Sequence, residues 1–411
     1  MSALKKGVVT NNSGISVNII LLGLVSLLND FSSEMILPIL PFLITSLGGT
    51  GLVIGLIGGL IDGLPNLLKV FSGYFSDKIK HRKSFVFAGY LGSQLFKFGL
   101  IFAKSWVWIM GFVALDKLGK GVREAPRDAL ISESMPLKRG LAFGIQRAFD
   151  TTGAILGSLT VLLLFWFVGT SFEFNNLIII ASLVGLTCLI PIYFIKDTQG
   201  SIENVKKNKY KKEKFNFRIA FKSLSPKLKR FILVSCLFAI ANFSYMFFIL
   251  EARDTFMDYN SFGLNMTIIP IMLYVFFNIV YAVFAIPFGK LSDKIGRKRV
   301  LATGYLFFSI LCLGFLFFNS LSAYIGLFVL YGITSALLVG NQRAFISDLS
   351  HENFMATSLG AFQTSVGIIA IISGIVAGLL FDLSPVYTFI YGSVFSFLAF
   401  ILLLVLFRKD I

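Results

Sequence analysis

Twelve long apolar stretches recur along the chain and constrain its fold more than any other feature. As helices rising about 1.5 Å per residue, they are long enough to cross a hydrocarbon layer about 30 Å thick. The first is too long and too rich in acids for a cleaved signal peptide, so we expect it to remain in the protein. The predicted bounds are 15–46, 50–76, 84–103, 106–132, 140–168, 174–195, 230–252, 264–290, 300–318, 322–347, 354–381 and 386–407.

The composition also favours a membrane protein. Of 411 residues, 56% are hydrophobic and 14% are charged, whereas soluble domains carry about 25% charged residues. Helices are favoured over barrel strands because the apolar runs lack the alternation of a lipid-facing strand. We therefore expect an all-α integral membrane protein. The three cysteines lie in predicted spans and the two histidines in loops, so we expect no disulfide, metal site or cofactor.

The net charge of +16 would fit a nucleic-acid partner if the charge were spread over one surface. Instead, with a cytoplasmic amino terminus, 27 of the 37 Lys and Arg residues fall in inner loops and tails, and the outer loops hold only Lys104 and Arg253. This is the positive-inside distribution. We expect a multi-pass protein of the cytoplasmic (inner) membrane, with both termini cytoplasmic, lipid as its surroundings and no nucleic-acid partner.

The two halves of the chain repeat one another. GYFSDKI begins at Gly73 and GKLSDKI at Gly289, so Asp77 and Asp293 lie 216 positions apart. We expect an N-terminal six-helix bundle over 1–195, a basic cytoplasmic linker over 196–229 and a C-terminal six-helix bundle over 230–411. Such parallel repeats place a site at their interface near the membrane midplane. The linker lysines act either as a solvated tether or as ligands of anionic lipid headgroups.

The repeated loop resembles the signature of the major facilitator superfamily, roughly Gly-x-Leu-Ala-Asp-Arg-x-Gly-Arg-Arg/Lys, with a degenerate copy in the second half. The second copy here is nearly complete, whereas the first has Lys80 for the glycine and His81 where arginine is expected, which makes Arg82 the substitute. The resemblance covers essentially the whole chain. It implies a monomeric twelve-helix secondary carrier, and the stretches at 119–134 and 139–157 resemble a prokaryotic efflux-type subgroup.

In that family the loop helps to hold the cytoplasmic gate. An acid that closes helix two would face basic groups at the inner end of helix four, and the second half would repeat this arrangement. Topogenic anchoring is the alternative, but it does not explain an acid at the same offset in both copies. The expected gate residues are Asp77, Arg82, Arg123, Arg127, Glu133, Asp293, Arg297, Arg343 and Asp348.

Charges inside the spans are concentrated in the amino half, where seven acids face seven bases. A charge at the bilayer centre costs about 2.5 to 3.5 kcal/mol on insertion scales, so such residues normally line a cavity or pair with one another. Asp30 and Glu34 share one helix face, where a buried acid beside a lysine could exchange a proton. We predict proton coupling at Asp30, Glu34 and Asp150, and substrate binding at Asp62, Lys97, Asp116, Lys120 and Arg147.

These features favour a secondary active transporter that exports a small organic molecule in exchange for protons. Gly144, Gly153 and Gly157 fit a drug-antiporter helix only in part, since its Gly-Pro pair is absent and small residues also serve close packing. The chain has no GxxxxGK[ST] loop, which argues against ATP as fuel. We expect a carrier and not an enzyme. The alternatives are an uptake symporter or uniporter of an organic anion, and a membrane-embedded enzyme or lipid scramblase on the same scaffold.

Overall fold

The computed structural model describes residues 15–79, 82–136, 138–169, 173–196, 224–259, 264–350 and 355–408. Within these ranges, the side chains of 70, 71, 73–79 and 355–357 are outside the description. Most of the predicted basic linker therefore lies outside the described residues, as do Lys80, His81 and the side chain of Asp77. The described part of the chain is built from helices.

The described residues of the first half form nine helical segments. They are α1 (Val17–Ile36), α2 (Leu40–Ser46), α3 (Gly51–Ile79), α4 (Arg82–Gly99) with a 3-10 turn (Leu100–Phe102), α5 (Trp106–Ser134), α6 (Arg139–Val168), α7 (Phe174–Leu186) and α8 (Leu189–Phe194). The second half contains α9 (Pro226–Ala241), α10 (Met246–Thr255), α11 (Ile268–Ile295), α12 (Arg297–Phe317), α13 (Leu321–Leu349), α14 (Met355–Leu383) and α15 (Pro385–Leu406).

These segments correspond to the twelve predicted spans, but three spans are broken helices rather than single ones. The first breaks between α1 and α2 at Pro38, since proline lacks the backbone N–H that would continue the helical ladder. The sixth breaks at Thr187 and Cys188, and the seventh at 242–245. Eleven of the described helical stretches are long and apolar enough to cross a membrane. The other long helix, α5, carries Asp116, Lys117, Lys120 and Arg123, and these charges lower its hydropathy.

Successive spans run in opposite directions, so their connections lie at two ends of the molecule, which we term the basic end and the opposite end. At the basic end, α3 meets α4, α5 meets α6, and α11 meets α12, and side-chain contacts tie these connections together. They are Arg82 with Glu133, Asn18 with Lys196, Ser225 with Leu349, and Lys298 with Phe407. At the opposite end lie α2, the connection that precedes α5 (102–106) and the connection that precedes α13 (317–321).

The two halves pack against each other most closely along α3 and α14. Gly51, Gly55, Gly59 and Gly63 form a stripe on α3, and a Cβ at Gly55 would overlap the carbonyl oxygen of Gly374. Small residues at this spacing let helix backbones approach within a membrane protein. Asp382 of α14 completes the contact by accepting the Gly51 and Leu52 backbone N–H groups at 2.6 and 2.8 Å. The halves are therefore joined firmly at the opposite end.

Candidate substrate and proton site

The charged stripe on α5 is partly neutralised by neighbouring side chains. Asp116 accepts a hydrogen bond from Ser93 of α4, and its other oxygen lies 2.9 Å from Lys117 Nζ. About two turns further along α5, Glu124 forms an ion pair with Lys69 of α3 and lies 3.9 Å from Lys120. Asp116 is buried, while the Lys120 side chain is 44% exposed. The predicted substrate residues Asp116 and Lys120 thus differ, since Asp116 is buried among partners on α4 and α5 and Lys120 is partly exposed.

A second cluster is centred on Asn29 of α1, which is 3% exposed. Its Oδ1 accepts hydrogen bonds from Gln94 at 2.9 Å, Arg123 at 3.3 Å and Lys97 at 3.5 Å. Arg123 also donates to the Gly89 carbonyl and lies over the Tyr90 ring, 4.3 Å from its centroid. Three buried donors therefore converge on one neutral amide oxygen. We term Asn29, Gln94, Lys97 and Arg123 the Asn29 cluster.

Nearer the basic end, Ser26 of α1 joins three helices. Its hydroxyl accepts hydrogen bonds from Gln146 of α6 and, at 3.2 Å, from Arg127 of α5. Gln146 also donates to Asp150 at 3.0 Å, and Arg127 pairs with Asp128 at 3.1 Å. The predicted proton acceptor Asp150 and the predicted gate residue Arg127 thus belong to one polar network.

The predicted proton-coupling acids have different surroundings. Asp30 accepts a hydrogen bond from Asn29 Nδ2 at 2.9 Å and, among the described residues, has no Lys or Arg within ion-pair distance. Glu34 reaches across to the second half, where its Oε2 accepts from Tyr274 at 2.9 Å and Asn278 at 3.3 Å. Asp62 is exposed on the inner wall. Of the predicted acids, Glu34 alone has described hydrogen bonds to the other half.

The second half presents an aromatic wall to these charges. Tyr245 and Tyr274 lie 5.3 Å apart, Phe277 stacks on Tyr331 at 4.4 Å, and Tyr281 continues the row on α11. Arg147 of α6 donates a hydrogen bond to the Tyr281 hydroxyl, so this predicted substrate residue also joins the halves. Where the two halves face each other, charged groups thus lie on one side and mostly aromatic groups on the other. That arrangement suits an organic solute with a polar group and an apolar surface.

Four of the predicted gate residues form one matching ion pair in each half. Arg82 contacts Glu133, and Arg297 contacts Asp348 and lies 3.0 Å from Asp293. In both halves the arginine precedes its distal partner by 51 residues. This pairing places Arg82, and not His81, at the position equivalent to Arg297, because the first loop has one extra residue. The prediction that Asp77 approaches this cluster falls on a side chain outside the description, and Arg343 lies exposed on the inner face of α13.

Comparing equivalent positions also shows how the two halves differ in buried charge. Tyr90 and Tyr305 occupy equivalent positions, but Arg123 covers the first ring, whereas Phe238 stacks on the second at 4.4 Å. Position 97 is a lysine, and its equivalent is the buried Cys312. At these two places the second half thus has an aromatic ring and a thiol where the first half holds cations.

Sequence reasoning missed the neutral polar residues of the site, namely Asn29, Gln94, Gln146, Tyr274 and Asn278. A signal for them was present, since amides inside apolar spans need hydrogen-bond partners just as charges do. The partners are not readable from the sequence because they lie on other helices, as for Asn29 and Arg123, which are 94 residues apart.

Comparisons with known proteins agree with this architecture. The Major Facilitator Superfamily sequence profile matches residues 22–277 and 252–410. An "uncharacterized MFS-type transporter MJ1317" from Methanocaldococcus jannaschii is 50% identical over 394 residues, which cover 96% of each chain. The "multidrug transporter MdfA" of Edwardsiella piscicida is 33% identical over 90 residues, or 22% of each chain.

Solved structures extend the similarity to the fold. The crystal structure of the nucleoside transporter NupG aligns with a TM-score of 0.75 at 13% identity, and the alignment covers 96% of this chain and 99% of that one. At this identity the likeness concerns the fold alone. The two six-helix bundles and the repeated loop motif agree with a family profile that spans both halves and with a relative that is 50% identical. The chain therefore belongs to the major facilitator superfamily of transporters.

Proposed function

We propose that this protein is a secondary active transporter that moves a small organic solute by alternating access, in exchange for protons and in the export direction. The basic end faces the cytoplasm in this proposal, in accord with the positive-inside rule. The helices of 1–195 and 230–411 act as two bundles, with 196–229 as the tether between them. The similarity of short segments to multidrug transporters supports export.

The contact of Glu34 with Tyr274 and Asn278 carries the proposal of proton coupling. Both hydrogen bonds end on Oε2, and an ionised carboxylate accepts them more strongly than a neutral carboxyl group does. A proton on Glu34 would therefore change the contact between the halves, which is what a coupled carrier requires. Asp30, one helical turn away, and Asp150 are the acids through which the proton reaches or leaves Glu34.

Transport into inverted membrane vesicles tests this role. A panel of radiolabelled nucleosides, aromatic acids and cationic dyes is offered with and without an imposed pH gradient. We expect at least one solute to accumulate only with the gradient. Asp30→Asn, Glu34→Gln and Asp150→Asn should each abolish gradient-driven accumulation while exchange of preloaded solute continues, because exchange needs only the loaded transition.

Glu173→Gln is the matched control, since Glu173 is an exposed acid at the start of α7. It should behave as the unaltered protein does. If the three variants all kept gradient-driven accumulation, proton coupling through these acids would be wrong. Accumulation that is insensitive to the gradient in the unaltered protein would point to a uniporter or to another coupling ion.

The ion pairs at the basic end are the proposed cytoplasmic latch. Arg297 joins the α11–α12 connection to the end of α13, and Arg82 does the same for α4 and α5. Removing Arg297 disconnects the α11–α12 connection from the end of α13 but costs little stability, because partly exposed ion pairs contribute about 0.2 to 1 kcal/mol. Arg297→Ala should therefore slow transport several-fold and barely change the melting temperature. Arg299→Ala, an exposed neighbour, should leave both unchanged; equal transport rates in the two variants would refute the latch.

A further inference from the structure

An open groove of about 310 Å³ lies along the basic end of α11. We term it the α11 groove. Sites that take small organic groups have volumes of about 300 to 1,000 Å³, so this groove has room for the headgroup of a lipid. Among the described residues, its lining side chains all belong to α11 and are Ile286, Pro287, Lys290, Leu291 and Lys294.

The α11 groove lies on the side of α11 that points away from the other half. Tyr281 marks the side toward the other half, because its hydroxyl accepts a hydrogen bond from Arg147 of α6. Lys290 follows Tyr281 by nine positions, which at 3.6 residues per turn places it about 180° around the helix. Val283 and Ile286 share the face of Lys290 and are 60% and 69% exposed. Exposed apolar side chains on the outside of a membrane-spanning helix contact lipid, so the groove opens toward the bilayer.

Lys290 and Lys294 give this apolar face a basic end. They are four residues apart, so their side chains are neighbours on successive turns. Both are exposed, and among the described residues neither has a carboxylate within ion-pair distance. The adjacent acid, Asp293, is paired with Arg297 at 3.0 Å. Two positive charges thus lie without a described counter-charge where a lipid-facing surface ends.

The repeated loop motif does not account for Lys290. In GKLSDKI this lysine occupies the variable position after the glycine, and the first copy, GYFSDKI, has Tyr74 there. Lys294 has an equivalent in the first copy, Lys78. The pair of lysines one turn apart is therefore absent from the equivalent place in the first half, and the proposed latch does not explain it.

We propose that the α11 groove binds one anionic phospholipid, with its phosphate between Lys290 and Lys294 and its acyl chains along Val283 and Ile286. Lysine binds a phosphate as a point charge, and two lysines favour an anionic lipid over a zwitterionic one. They lie one to two turns beyond Ile286, about 6 to 12 Å along the helix axis, which takes them from the hydrocarbon into the headgroup layer. This site goes beyond the proposed function, since it involves neither the coupling acids nor the transported solute.

Native mass spectrometry of the full-length protein in detergent tests the proposal, because it resolves each lipid that stays bound. The protein is titrated with dioleoyl phosphatidylglycerol, with dioleoyl phosphatidylcholine and with glycerol 3-phosphate. The two lipids share their acyl chains and differ in net charge, and glycerol 3-phosphate has a phosphate without acyl chains. We expect the first phosphatidylglycerol to bind at least ten-fold more tightly than either of the other two probes.

Paired substitutions locate the site. The double variant Lys290→Gln, Lys294→Gln should lose the ten-fold preference, whereas Lys290→Arg, Lys294→Arg keeps both charges and should retain it. Lys138→Gln, Arg139→Gln is the matched control, since it removes two exposed cations from the same end of the molecule, at the start of α6. It should bind phosphatidylglycerol as the unaltered protein does.

Three results would overturn the proposal. The first is equal binding of the two lipids by the unaltered protein, and the second is binding of glycerol 3-phosphate as tight as that of phosphatidylglycerol. The third is a preference for phosphatidylglycerol that changes equally in the Gln variant of Lys290 and Lys294 and in the control, including no change in either. That result would assign the preference to the overall positive charge of the basic end.

Discussion

At the scale of single residues, Asn29 determines how the first half tolerates buried positive charge. Its Oδ1 accepts from Gln94, Lys97 and Arg123, whose side chains are all at most 4% exposed. Among the described residues, neither Lys97 nor Arg123 has a carboxylate within ion-pair distance. An amide at this position therefore holds two cations in place without neutralising their charge.

Asn29→Ala should destabilise the protein because it removes the acceptor and leaves buried donors without a partner. An unsatisfied buried donor costs about 1 to 3 kcal/mol, and we expect a loss in that range. Thermal unfolding in detergent measures it. Asn175→Ala, at an exposed asparagine of α7, is the control. A melting temperature for Asn29→Ala equal to that of the control would show that the Asn29 cluster does not stabilise the fold.

The sequence predicts which charged residues lie deep in the first half, but it does not predict their hydrogen-bond partners. Deep charges on α5 and an acid pair on α1 follow from helical spacing, so Asp116, Lys120, Asp30 and Glu34 could be placed on inner faces. The link from Glu34 to Tyr274 could not be predicted, because it depends on how α1 meets α11, 240 residues along the chain. The sequence already indicated Arg82 as the substitute for the motif's arginine, and its contact with Glu133 matches that of Arg297 with Asp348.

At the scale of helices, the contact between α3 and α14 depends on glycines that face each other. A Cβ at Gly55 would overlap the Gly374 carbonyl oxygen, and one at Gly63 would meet the Gly367 carbonyl. The halves thus touch through backbone at the opposite end and along the middle of α3. Hydropathy predicted the bounds of both helices within a few residues, but their pairing comes from the packing of the two halves.

Gly55→Val should force α3 and α14 apart and open the opposite end. Gly111→Val is a matched control, because Gly111 also lies inside a helix and nothing surrounds its missing Cβ within 4 Å. Both changes are made in a variant without native cysteines that carries Ser244→Cys, a position buried against Gly58. We expect a membrane-impermeant maleimide to label Gly55→Val at least ten-fold faster than the control. Equal labelling rates would mean that this contact does not close the opposite end.

At the scale of the whole molecule, the halves have one fold and different interiors. The duplication in the sequence predicts the shared architecture, since equivalent ion pairs, Arg82 with Glu133 and Arg297 with Asp348, recur at the basic end. The composition of each half predicts the difference, because the deep charges lie in the first half and aromatic residues fill the second. A carrier built this way can hold polar groups of its cargo with one half and close over the rest with the other. The balance between its two open states then depends on contacts such as those of Asp382.

Asp382→Ala should shift that balance toward opening at the opposite end. The carboxylate caps α3 from the other half through the Gly51 and Leu52 N–H groups, at 2.6 and 2.8 Å, and this contact has to break when the end opens. Hydrogen bonds to a charged group contribute about 1.5 to 3 kcal/mol each, so losing even one should change the equilibrium about ten-fold or more.

Spin labels at Lys104→Cys and Asn319→Cys, which lie in exposed connections at that end of each half, report the distance by electron-electron resonance. We expect a larger long-distance population for Asp382→Ala than for Asp258→Ala, an exposed acid near the same end. Identical distance distributions would show that other contacts, and not the carboxylate, keep the halves together there.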